Sequence, residues 1–178
     1  PYPFDKWVIR NNTLTFSGAN VTHMVFVGVG ADNSDLINNT LATTVSTQDY
    51  GVVLKSDNLL VQGNRIMGAG TSLYISGSSN SRAINNTVYA RTGTAVVIDS
   101  NQERTAGTDG TYGQCRRTEL RDNVIVSADG LPLSVDAGGD DASNAWNLYV
   151  DYNCYWTLDG SSPQVANIGG TAVTQVAG

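Results

Sequence analysis

The chain has 178 residues, 19 glycines, 15% charged residues and a net charge of −6, which describes one turn-rich domain with enough apolar residue for a core. That negative charge argues against nucleic acid or an anionic membrane surface as partner, because both need a basic face. No apolar run approaches the roughly 18 residues that span a bilayer, so a membrane partner is not expected either.

Residues 1–6 form a lead-in to the first repeating unit, which starts at Trp7. Six asparagines mark the units: Asn12, Asn39, Asn64, Asn86, Asn123 and Asn153, spaced between 22 and 37 residues apart. Three positions before them stand Ile9, Leu36, Val61, Ala83, Leu120 and Val150. Two positions after them stand Leu14, Leu41, Ile66, Val88, Ile125 and Tyr155. A recurring unit that short, rich in Val, Ile, Thr and Asn and without helical spacing, holds three short strands rather than a helix pair. The expected fold is therefore all-β, a parallel β-helix of about six coils spaced ~4.8 Å apart. The asparagines are expected to stack in one turn as a ladder, tolerating the left-handed conformation there and bonding from coil to coil.

Residues 25–29 (VFVGV) are the next expected strand of the first coil. Aligning Asp32-Asn33 with Asp57-Asn58 places Val27 and Val29 over Val52 and Leu54. The inward rows continue through Leu73 and Ile75, Val96 and Ile98, and Leu133 and Val135. One outward row then reads Gly28, Val53, Tyr74, Val97 and Ser134, and the other Gly30, Lys55, Ser76, Asp99 and Asp136. Two long insertions flank these rows, residues 99–118 and 136–147, and loops of that length on a tight solenoid are often functional. The coils are expected to occupy residues 1–156. Residues 157–178 form a tail or partial cap in which Val165, Ile168 and Val173 offer a lid.

The phrases VIRNNTL, GVVLKSDNLLVQGNRI and AINNTV resemble the repeats of right-handed parallel β-helix proteins of the pectin-lyase-like superfamily, and VDYNCYW resembles the closing turn of secreted bacterial members. The resemblance runs from about Trp7 to Trp156. It implies a secreted or cell-surface protein whose partner is polysaccharide. It also implies a site on the outer face of the sheet that carries Asp99 and Asp136. Among members, activity ranges from lyases and glycoside hydrolases to non-catalytic adhesins and tailspikes, so both an enzyme and a glycan-binding or structural spacer are expected readings.

Asp99 and Asp136 are the first catalytic candidates, since carboxylates on adjacent coils sit at acid/base spacing. Strand-end aspartates are also ordinary turn formers. Lys55, in Val53-Leu54-Lys55-Ser56, is similar to the general-base lysine strand of the alginate lyase and chondroitinase-like group. The likeness stops there, because Ser76-Gly77 stands where that group has Arg-His, and its calcium-binding glutamates have no counterpart. Substrate-binding candidates are Tyr74, Arg104, Tyr112, Arg116, Arg117 and Trp146, the arginines as clamps for a sugar carboxylate. Asp136, Asp140 and Asp141 are the candidate metal ligands, with calcium the cation such a set would take; no other cofactor is expected. The lone His23 lacks a metal-spaced partner and is expected to be structural. Cys115 and Cys154 are either a disulfide or two free thiols. The start at Pro1-Tyr2-Pro3 and the end at Val176-Ala177-Gly178 look like cut edges. Further coils or another subunit are accordingly expected to cover the first turn.

Overall fold

The computed structural model describes residues 6–17, 22–45, 49–99, 102–103, 112–113, 115–136, 148–158, 164–168 and 171–174, and among these there is no helix. The chain visits three sheets in the same order, again and again. The first sheet collects β1 (Val8–Arg10), β4 (Asp35–Ile37), β7 (Leu60–Gln62), β10 (Arg82–Ile84), β15 (Glu119–Arg121) and β18 (Tyr149–Asp151). The second collects β2 (Thr13–Phe16), β5 (Thr40–Thr43), β8 (Arg65–Met67), β11 (Thr87–Ala90), β16 (Val124–Ser127) and β19 (Cys154–Thr157). The third collects β3 (His23–Val27), β6 (Tyr50–Leu54), β9 (Thr71–Ser76), β12 (Val96–Asp99), β17 (Leu133–Asp136) and β20 (Gln164–Ile168). Neighbours in each set pair in parallel, giving three six-stranded parallel sheets and a solenoid-like all-β architecture. After Thr157 the chain adds β20 to the third sheet, and β21 (Thr171–Thr174) folds back on it antiparallel.

Apolar columns hold the sheets together. Ile9, Leu36, Val61, Ala83, Leu120 and Val150 are register partners across the first sheet. Leu14, Leu41, Ile66, Val88, Ile125 and Tyr155 are partners across the second. From the second member of each column to the fifth, these side chains are buried, and each aliphatic one contributes roughly 1.5–3 kcal/mol.

The asparagines join these sheets at one corner. Asn12, Asn39, Asn64, Asn86 and Asn123 each donate both a backbone N–H and an Nδ2–H to the Oδ1 of the next, at 2.8–3.1 Å. The other Nδ2 proton of Asn39, Asn64, Asn86, Asn123 and Asn153 goes back to the carbonyls of Ile9, Leu36, Val61, Ala83 and Leu120. Buried amides are thereby satisfied, which is what permits them inside the wall. The left-handed conformation belongs to their neighbours instead. Asn11, Asn38, Gly63, Asn85, Asp122 and Tyr152 precede the bonding residues and carry φ of 53–67°. Turn geometry and amide bonding are thus divided between two positions, where the repeat suggested one residue doing both.

A second left-handed column, Asn33, Asn58, Asn80 and Arg117, marks the corner from the third sheet to the first. Here the expected register needs correction. Val25 and Val27, not Val27 and Val29, pair with Val52 and Leu54. Asn33 still sits over Asn58, with its N–H on the Asp57 carbonyl. The first connection is therefore two residues longer than the second, and a turn closed by Ala31 N–H to Gly28 C=O takes up the difference, with Gly30 at φ 87° and Val29 exposed. Phe26 and Gly28 accordingly take the outward places assigned to Gly28 and Gly30.

Candidate functional site

The outward row on the third sheet forms as a row. Val97 and Asp99 pair with Tyr74 and Ser76 on one side and with Ser134 and Asp136 on the other. Lys55 follows Leu54, the partner of Ile75, and so stands one strand back from Ser76. Backbone register places Asp99 beside Asp136 as direct neighbours, about 4.8 Å apart across the strands.

Asp99 is not an open surface carboxylate. It is only 9% exposed, and the Tyr74 hydroxyl donates to its Oδ2 at 2.6 Å. Burial, followed by this hydrogen bond to Asp99, pushes the Tyr74 phenol well above its ordinary range. The Ser76 hydroxyl lies near enough to oppose that shift, but it is buried and makes no hydrogen bond of acceptable geometry among the described residues.

Beside the row runs an aromatic file that the period-two pattern did not show. His23 stacks on Tyr50 with ring centres 5.4 Å apart and planes at 14°, and Tyr50 packs on Tyr74 at 5.4 Å. Phe26 meets His23 edge-on at 5.3 Å. Strict alternation from Val53 would turn Tyr50 inward, but the strand starts are irregular. Gly51 and Val52, Ser72 and Leu73, and Ala95 and Val96 are buried as consecutive pairs. The N–H groups of both Ser72 and Leu73 bond the Ala95 carbonyl, as at a bulge. One residue of slippage brings Tyr50 to the same face as Tyr74. Val53 on that face is buried to 1% exposure. Burial, then the nearby Lys55 ammonium, holds His23 below its ordinary value, with Asp49 opposing.

The other candidates are less tightly gathered. Arg116 and Arg117 are exposed at the corner, where the Asn80 N–H bonds the Arg116 carbonyl and Arg117 occupies the left-handed position. Within the 99–118 insertion, β13 (Gln102–Glu103) and β14 (Tyr112–Gly113) pair antiparallel, with Glu103 opposite Tyr112. Arg104, Asp140, Asp141 and Trp146 lie outside the described residues, as do the side chains of Tyr112 and Asp136. Among the described residues no group of three or more His, Cys, Asp or Glu gathers to hold a metal. Cys115 is buried and Cys154 exposed, and no disulfide joins them. An apolar cavity of about 200 Å³ opens beside the start of the row, at the first two turns of the chain, lined by Trp7, Phe26, Gly28, Ala31 and core residues including Leu36, Leu54 and Val61. No helix among the described residues is long and apolar enough to cross a membrane. No protein-family model, no curated protein and no solved structure matches the chain.

Proposed function

We propose that the chain is a polysaccharide-acting right-handed parallel β-helix of the pectin-lyase-like kind, secreted or displayed at a cell surface. Its coils close around the apolar columns and its asparagines form a ladder along one corner. A glycan lies across the outer face of the third sheet. The observation that carries this reading is the file His23, Tyr50 and Tyr74 running across successive strands into Asp99. Rings with one polar tip offer a flat face to the C–H side of a sugar, and the adjoining Asp99 carboxylate and Lys55 ammonium offer partners for its hydroxyls. A glycan array with the whole chain, repeated with Tyr50→Ala and Tyr74→Ala, tests it. Retention on one polysaccharide class that both variants lose supports the proposal, and equal retention by all three proteins defeats it.

A second reading, glycoside hydrolysis, is favoured by the register of Asp99 and Asp136. One carboxyl would protonate the leaving oxygen while its neighbour attacks the anomeric carbon or activates water, depending on their separation. Tyr74 would then orient Asp99. Release of reducing ends that disappears in both Asp99→Asn and Asp136→Asn supports cleavage. Binding without release leaves the non-catalytic reading, a glycan-binding or structural β-helix.

A further inference from the structure

At the far end of the first sheet, well along the chain from the aromatic file, a second open groove of about 460 Å³ is lined by Glu119, Arg121, Asp122, Tyr149 and Tyr152. Its floor is built by register. Glu119 pairs with Tyr149 and Arg121 with Asp151, and the corner residues Asp122 and Tyr152 follow directly. The guanidinium is fixed, since Arg121 Nε donates to Glu119 Oε1 at 2.5 Å and Nη1 to Asp122 Oδ2 at 2.6 Å. Tyr149 is fixed too, its hydroxyl donating to Asp151 Oδ2 at 3.1 Å.

Tyr152 is the residue that asks for an explanation. It occupies the left-handed corner position at φ 53°, where the other five units place Asn11, Asn38, Gly63, Asn85 and Asp122. A bulky aromatic residue is disfavoured there, and Tyr152 recovers nothing by burial, being 73% exposed. Strain held at an exposed aromatic residue, in a groove that also exposes Tyr149, is the pattern of a recognition surface.

We infer that this groove is a second glycan site, separate from the third sheet, and that it takes a neutral sugar chain. Two tyrosine faces stack on the ring, and the immobilised Arg121 fork and its flanking carboxylates hydrogen-bond vicinal hydroxyls. Charge selects against uronates. Glu119, Asp122 and Asp151 outnumber Arg121 even when Arg82, one strand back opposite Glu119, is included. The site stands whether or not the third sheet binds glycan.

The test is isothermal titration of the full chain with cello-, xylo- and mannohexaose and with a hexa-galacturonate. Wild type is compared with Tyr149→Ala, Tyr152→Asn and Tyr74→Ala. Asparagine suits the left-handed position, so Tyr152→Asn keeps the fold, which a melting curve verifies. At least one neutral hexasaccharide should bind, about ten-fold more weakly to Tyr149→Ala and to Tyr152→Asn, with Tyr74→Ala unchanged. Loss through Tyr74→Ala alone would overturn this inference and leave the third-sheet proposal standing. Loss through the groove variants alone would support this inference, and the third-sheet proposal would still stand or fall on its own array. No binding of any neutral probe, or binding of hexa-galacturonate alone, would also overturn this inference.

Discussion

The Tyr74 hydroxyl donates to Asp99 Oδ2 at 2.6 Å, which ties an aromatic ring on β9 to a carboxylate on β12 and makes the two one unit. Removing the hydroxyl with Tyr74→Phe takes a strong donor from a buried carboxylate. The cost should be roughly 1–2 kcal/mol in urea denaturation. Tyr50→Phe, on the same file, is the comparison and should cost less. Equal midpoints would mean that Asp99 does not depend on Tyr74.

The same bond sets a pH dependence. Folding raises the Tyr74 phenol above its ordinary 10.0, because burial and Asp99 both favour the neutral form. A raised folded value means a contribution fully present below the unfolded value and lost as pH climbs toward the folded one. Wild-type stability should therefore fall more steeply than that of Tyr74→Phe between about pH 9.5 and 11.5. Parallel slopes for the two proteins would refute the assignment.

Asn86 tests the corner amides. Its Oδ1 accepts from the N–H and Nδ2 of Asn64, and its Nδ2 donates to Val61 C=O and Asn123 Oδ1. Asn86→Ala should cost about 2–4 kcal/mol, since several buried groups lose a partner together. Asn58→Ala, at an exposed left-handed position, should cost only ~1 kcal/mol through its backbone. Denaturation midpoints that fail to separate the two would count against a special role for the column.

Gly51 is small for a packing reason. A Cβ there would meet the Ser72 carbonyl oxygen, and Ile66 Cγ2 at 2.9 Å. Gly51→Ala should destabilise by roughly 1–3 kcal/mol as an overpacked site. Thermal melts at unchanged midpoint would show that the strand start yields more easily than its contacts imply.

Tyr152→Asn should move stability the other way. Relieving the left-handed strain of an exposed aromatic should stabilise by ~0.5–1 kcal/mol, read as a higher melting temperature. A lower one would show that the Tyr152 ring contributes packing as well as exposure.

Much of this protein is written in its linear pattern. Ile9 through Val150 and Leu14 through Tyr155 recur at fixed offsets from an asparagine, and they are the register partners of two parallel sheets. A parallel stack requires like to sit on like, so a repeat in sequence becomes a column in space. The row Ser76, Asp99 and Asp136 follows for the same reason. Four features were decided only by tertiary structure. The bonding and left-handed roles fall on successive residues, because one backbone conformation cannot serve both. The first corner absorbs two extra residues at Val29 and Gly30, which shifts β3 against an alignment made on the turn. The irregular strand starts bring His23 and Tyr50 onto the Tyr74 face, where alternation alone turns Tyr50 inward. The burial of Asp99 under a tyrosine hydroxyl likewise depends on a neighbour 25 residues away in sequence, placed there only when β9 and β12 pair in the parallel sheet.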